Sequence, residues 1–170
     1  TATLHRDRFA AATAAKSGFE QEAQFERALM DVFLANVPDA VYFKDLESRF
    51  VRASHSLAQR VGLDDPNELV GKSDLDLFSE EHGMQAFADE QEVIRTGKPI
   101  LGKVERETLA DGRSTWVLSS KLAWRNPAGT VIGTFGISNE QVQCSRPRFQ
   151  RVIDRSALDA FHQHDCDSVP

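Results

Sequence analysis

The spacing of apolar positions changes period along this chain. From Lys16 to Asn36, Phe25, Ala28, Leu29, Val32 and Phe33 fall at the i, i+3, i+4, i+7, i+8 positions of one helical face. Leu34 and Val37 widen that stripe beyond what one packing partner needs. The helix is therefore expected to cover its own sheet, to pair with a second copy through Phe25, Leu29, Val32 and Phe33, or both. Residues 1–15 are rich in Ala, Thr and Arg, show no apolar stripe, and are expected to fray.

Pro38 closes the helix, and period-two segments follow. Ala40 to Lys44 and Arg49 to Ala53 read as short strands joined by the turn Asp45-Leu46-Glu47-Ser48. Ser54 stands at a helix N-cap, with Leu57 and Val61 inward and Gly62 as the stop. Asp65-Pro66 opens a further turn, and Gly71-Lys72-Ser73-Asp74 leads into the brief Leu75-Asp76-Leu77-Phe78. Ser79-Glu80-Glu81 starts an acidic-capped helix that carries Met84, Phe87, Ala88, Gln91 and Ile94 on one side and ends at Thr96-Gly97. Three longer strands come next, near Ile100–Thr108, Ser114–Trp124 and Thr130–Ser138. Asp111-Gly112 and Asn126-Pro127-Ala128-Gly129 supply their turns.

This order, β-β-α-α-α-β-β-β after a leading helix, predicts an α+β domain. A five-stranded antiparallel sheet would carry short helices on one face and the N-terminal amphipathic helix on the other. After Glu140 apolar density falls, and 142–170 reads as a connector or tail.

Bulk properties narrow the function. The 170 residues allow one domain with a core plus extensions, and 41% hydrophobic with 27% charged residues is ordinary for a globular chain. A net charge of −6 speaks against nucleic-acid binding, which needs a basic face. No apolar run approaches the ~20 residues of a membrane helix. Cys144 and Cys166 both fall late in the chain, so a disulfide framework is not expected and a reducing cytoplasm fits. The start, Thr1-Ala2-Thr3-Leu4-His5, lacks an initiator Met and a signal pattern, as expected of a piece of a longer protein.

Residues 37–141 resemble a PAS domain of the bacterial sensory-box type found ahead of kinases, cyclases and phosphatases. The words that carry the resemblance are Val37-Pro38-Asp39-Ala40, Tyr42-Phe43-Lys44-Asp45, Gly71-Lys72-Ser73-Asp74 and Asp76-Leu77-Phe78. They continue as Thr96-Gly97-Lys98-Pro99, Asp111-Gly112, Trp116, Lys121, Gly129-Thr130-Val131-Ile132-Gly133 and Gly136-Ile137-Ser138. Ser54 stands where the family often has Asn, and Glu140-Gln141-Val142 replaces its usual Asp-Ile-Thr ending.

The resemblance implies a sensor rather than an enzyme. Blue-light members need a Cys in the short helical region, and Leu75 to Glu81 has none, so flavin photochemistry is not expected. Haem-binding members carry an iron-ligating His at a place that is Ala86 here; His82, one turn earlier, is the haem alternative. A small organic ligand, anionic in one version, is favoured. By alternation Thr134, Gly136 and Ser138 share one face of the last strand, and the resemblance turns that face to the pocket. The same logic sends Val117, Ser119 and Lys121 inward, joined by Tyr42 and by Met84, Phe87 and Ile94 from the helix above. Lys121 is a candidate anchor for a carboxylate or phosphate; the alternative is a salt bridge to Glu105 or Glu107.

Two rivals stay open: a ligand-free PAS assembly module, and a small cone-shaped hydratase or isomerase using Tyr42 with Lys121 or Glu107. Asp74 and Asp76 read as turn-capping residues rather than a catalytic pair. His162-Gln163-His164-Asp165-Cys166 alternates metal-capable side chains but lacks a second cluster. The reading is a regulatory module, homodimeric and cytoplasmic, serving an output domain, with no nucleic-acid partner and no membrane insertion.

Overall fold

Alternation and capping place the elements where the pattern put most of them. In the computed structural model α1 spans Ala2–Asn36, β1 Ala40–Lys44, β2 Phe50–Ala53 and α2 His55–Arg60. Single turns at Pro66–Leu69 and Asp74–Asp76 precede α3, Glu80–Thr96. The long strands are β3 Ile100–Thr108, β4 Ser114–Arg125 and β5 Val131–Glu140. The structure describes residues 2–140, with side chains from Gly18 onward; the connector expected over 142–170, with its cysteines and His-rich end, lies outside them.

One antiparallel sheet holds all five strands in the order β2-β1-β5-β4-β3. Tyr42 faces Gly136 across β1 and β5, and Lys121 faces Gly136 across β4 and β5. The caps are local. Ser54 accepts from the Leu57 amide, Ser79 from that of His82, and Gly97 ends α3 in the left-handed region at φ 68°.

The apolar core gathers at one end of the concave face. Ala40, Tyr42, Phe50, Ala53, Leu57, Ala58 and Leu69 pack together where α2 crosses β1 and β2. Burying a side chain such as Leu57 contributes about 1.5–3 kcal/mol. The other half of that face, beneath α3, is polar and charged.

Two features of α1 depart from expectation. It is helical from Ala2, so the segment expected to fray continues the helix. Its alanines carry the highest intrinsic helix propensity, which an apolar-stripe criterion overlooks. Nor does it lie across the sheet's convex face. Its partner within the chain is α2, Leu34 is buried, and Asp31 pairs with Arg52 of β2. Phe25, Leu29, Val32 and Phe33 stay 50–65% exposed. On the convex face Phe43 packs against Phe135 and Trp124, with ring centroids 5.0 and 5.5 Å apart.

Candidate functional site

The inner parity of four of the five strands carries polar groups. β1 contributes Tyr42 and Lys44, β3 Lys103, Glu105 and Glu107, β4 Ser119 and Lys121, and β5 Thr134 and Ser138. Over them α3 lays His82, Ala86, Asp89 and Glu90. These side chains surround a small, partly enclosed cavity of about 20 Å³, walled by Tyr42, Ser119, Lys121, Glu105, Glu107 and Ser138 among others. That volume is about one water's worth.

Three ionic groups organise the interior. Lys44, 1% exposed, reaches Asp74 and, at 2.7 Å, Glu90 Oε1. Its ammonium also sits 4.4 Å from the Phe50 ring centroid. Burial pulls the Lys44 amine down, yet Asp74 and Glu90 more than offset it and hold it above its usual value. Burial pushes Glu90 up, against the pull of Lys44, and leaves its Oε2 without a hydrogen-bond partner. Burial likewise raises the Tyr42 phenol well above its ordinary value, and the surrounding carboxylates add to this.

The second group lies under the middle of α3. Asp89 pairs with Lys103, which stands 3.3 Å from Glu105 Oε2, and Ser119 donates to Glu105 Oε1 at 2.6 Å. Lys121 fares worse. Only 2% exposed, it finds the Ala86 carbonyl at 3.4 Å and Asp89 Oδ2 at 3.7 Å. The salt bridge to Glu105 or Glu107 foreseen as its alternative is absent among the ion pairs of the described residues, because Lys103 and Arg60 hold those carboxylates. In the third group Arg60 donates to Glu107 Oε2 and Ser138 Oγ, both at 3.1 Å, and to the Ser138 carbonyl at 3.3 Å. Burial raises Glu107, and Arg60 partly restrains it.

The strand residues expected to face inward do so: Tyr42, Val117, Ser119, Lys121, Thr134, Gly136 and Ser138 are all buried. Tyr42, Ser119, Lys121 and Ser138 line the cavity; Val117, Thr134 and Gly136 do not. The α3 residues are corrected. Met84 and Phe87 are 55% and 42% exposed, and Ile94 is half-buried away from the cavity. The helix instead turns Gly83, Ala86, Glu90 and Val93 inward. Gly83 lies against Leu75, where a Cβ would come within 2.7 Å of Leu75 Cδ2.

The volume expected over the small β5 residues is also corrected. A methyl group on Gly136 would come within 2.2 Å of Tyr42 Cζ, so the glycine makes room for that ring rather than for a guest. His82 borders the cavity with its ring 5.0 Å from Phe78. The space beside it is far too small for a haem macrocycle as it stands. Lys44, Glu90, Asp89 and Arg60 were not singled out from the sequence, although Lys44 shares the inward parity of Tyr42.

Comparison with known proteins supplies an independent view. A family profile described as PAS fold matches residues 34–141. No curated protein matches the sequence. Among solved structures, a Vibrio cholerae VqmA dimer superposes with a TM-score of 0.60 at 21% identity, covering 67% of this chain and 52% of that one. That VqmA dimer is described as undergoing a huge conformation shift in the absence of target DNA, a finding related there to the DNA-binding mechanisms of LuxR-type receptors. A PAS domain from Colwellia psychrerythraea gives 0.57 at 14% identity, covering 67% and 95%. The PAS domain of a Burkholderia thailandensis LuxR-family transcriptional regulator, in complex with ethanol, gives 0.50 at 13% identity, covering 66% and 97%. This chain thus spans about half of the VqmA chain it resembles. At these identities the likeness is one of fold.

Proposed function

The chain belongs to the PAS fold family, and from that premise we propose that it is a regulatory sensor module, not a catalyst. It takes a small polar molecule into the cavity between the sheet and α3. One observation carries this reading. Lys121 is a buried cation facing the cavity with no acceptor nearer than 3.4 Å among its contacts. Burying a charge without good partners is costly, and a guest that presents an acceptor to it recovers that cost. Such a guest is larger than the space of about 20 Å³ and moves Tyr42, the bulky group beside it. The Burkholderia thailandensis PAS domain, of similar fold, is itself in complex with ethanol, which supports a very small polar guest.

The test begins with the purified chain: an absorption spectrum, then denaturation and mass analysis of any released molecule. The released compound, or the best binder from a panel of small carboxylates and hydroxylated rings, is then titrated calorimetrically. Lys121→Met is expected to weaken binding by about tenfold or more, the loss of one charge-assisted hydrogen bond. Unchanged affinity in that variant would remove Lys121 as the anchor. A Soret band would move the assignment to haem, and a chain that binds nothing would leave the ligand-free assembly reading.

The signal is read out by assembly. Phe19, Phe25, Leu29, Val32 and Phe33 of α1 are 50–72% exposed, more contiguous apolar surface than a monomer's helix ordinarily shows. A second copy pairing along α1 is the occupant that fits, and a VqmA of similar fold is described as a dimer. The output is a partner or further domain; one that binds DNA is compatible, since the charge of −6 belongs to this chain alone. Among the described residues no helix is long and apolar enough to cross a membrane. Leu29→Glu with Phe33→Glu is expected to convert a dimer to a monomer in sedimentation, with circular dichroism of the sheet unchanged. A parent chain that sediments as a monomer at high concentration would end the dimer proposal.

A further inference from the structure

Glu107 borders two spaces. One is the small cavity beside Lys121; the other is a wider groove of about 470 Å³ that also touches Arg60, Arg113, Thr115 and Glu140. The wall between them is a set of side chains: Arg60 bonded to Glu107 and to the hydroxyl and carbonyl of Ser138. Resting on the ligand reading above, we infer that the Arg60–Glu107 pair is the gate of the internal site. A small molecule reaches Lys121 from the groove when the Arg60 guanidinium swings away from Glu107 and Ser138.

The alternative route, beneath α3, asks for more. Lifting that helix breaks Lys44–Glu90 and Lys103–Asp89 together, and the first pair is sealed at 1% and 0% side-chain exposure. The Arg60–Glu107 pair is wetter than Lys44–Glu90, at 13% and 7%, though drier than Lys103–Asp89 at 29% and 12%. It stands alone in its wall and sits at the last residue of a six-residue helix. Rotation about side-chain bonds is enough to open it, and its groups pass directly into the groove's water. The gate also reaches the chain's way out. Ser138 lies two residues before the end of β5, and the terminal Glu140 accepts from the Thr115 hydroxyl at 2.8 Å in the same groove. Opening therefore frees Ser138, a β5 residue close to where the strand leaves the domain, which ties ligand passage to the exit of the domain.

Reductive methylation of the full chain with formaldehyde and a mild borohydride, read peptide by peptide by mass spectrometry, tests the gate without any ligand. In Arg60→Ala, Lys121 is expected to be labelled about tenfold faster than in the parent, as loss of one charged hydrogen-bonding partner predicts. Lys44, sealed by its carboxylates, is expected to keep its parent rate and so reports general loosening. Glu107→Gln, nearly isosteric, is expected to give a smaller rise at Lys121 and decides the matter where Arg60→Ala fails to fold. A Lys121 rate that stays at the parent value, or rises only in step with Lys44, overturns the gate. An empty ligand screen would sink the preceding reading while leaving this result standing.

Discussion

Lys44→Ala is expected to destabilise the protein by about 3–5 kcal/mol, the cost of stripping a buried ion pair of one member. The substitution leaves Glu90, fully buried, and Asp74, nearly so, without their shared cation. The charges themselves are not the source of stability. Replacing all three at once by apolar residues of similar size (Lys44→Met, Asp74→Leu, Glu90→Leu) is expected to be neutral or stabilising, because no group is left unpaired. Urea unfolding of the two variants and the parent separates these outcomes. An apolar triple variant as unstable as the single one would show that the network is needed for packing rather than for mutual satisfaction.

The same substitution carries a pH signature. Glu90 in the folded protein sits above its ordinary carboxyl value, so the folded state holds that proton more tightly than the unfolded chain. Its favourable contribution is complete below the ordinary value of 4.5 and is lost as pH rises through the higher folded value. Removing Lys44 removes the charge that pulls Glu90 down. The deficit of Lys44→Ala is therefore expected to be greatest at neutral pH and to shrink as pH falls toward the ordinary carboxyl range. A deficit that grows on acidification would contradict the assignment.

Gly136→Ala is the second large effect, expected to cost about 1–3 kcal/mol through overpacking. The added methyl would come within 2.2–2.4 Å of the hydroxyl end of Tyr42, which sits directly opposite on β1 and is itself held edge-on to Phe50 at 5.8 Å. Withdrawing the ring to relieve the clash disturbs that edge-on contact. Tyr42→Ala alone is expected to be destabilising as well, since it empties a buried aromatic site. The two together should cost less than their sum, because the methyl then enters space the ring has vacated. A coupling of about 0.5–3 kcal/mol in a thermal or urea double-mutant cycle is the expected reading. Strict additivity would mean that Tyr42 does not rest on Gly136 in solution. The double variant also carries a larger cavity than the parent, which makes it a useful reagent for ligand screening.

The strands were legible because period-two alternation is strict where one face is buried. Val117, Ser119 and Lys121, like Thr134, Gly136 and Ser138, turned inward as their parity required. The orientation of α3 was not legible. Its inner face is Gly83, Ala86, Glu90 and Val93, two small residues, a charged one and a single valine, while Met84 and Phe87 point outward. A hydrophobic stripe cannot reveal a buried glutamate whose partner is a lysine on β1. The clue available was Lys44 on the same parity as Tyr42: an inward cation on a central strand demands an anion from whatever crosses it. Cavity size escaped for a related reason. Parity says which residues face inward, but whether Gly136 yields free volume depends on the side chain opposite, and there Tyr42 takes the space.

The leading helix and the domain's interior are both held by charge, yet dissolved ions would treat them differently. Arg52 and Asp31 meet in the open, at 38% and 60% side-chain exposure, whereas Lys44 and Glu90 are shut away from solvent. Mobile counter-ions screen the first and cannot approach the second. Ionic strength thus acts as a selective solvent for this fold, loosening the electrostatic clasp of α1 on the sheet while leaving α3 fastened.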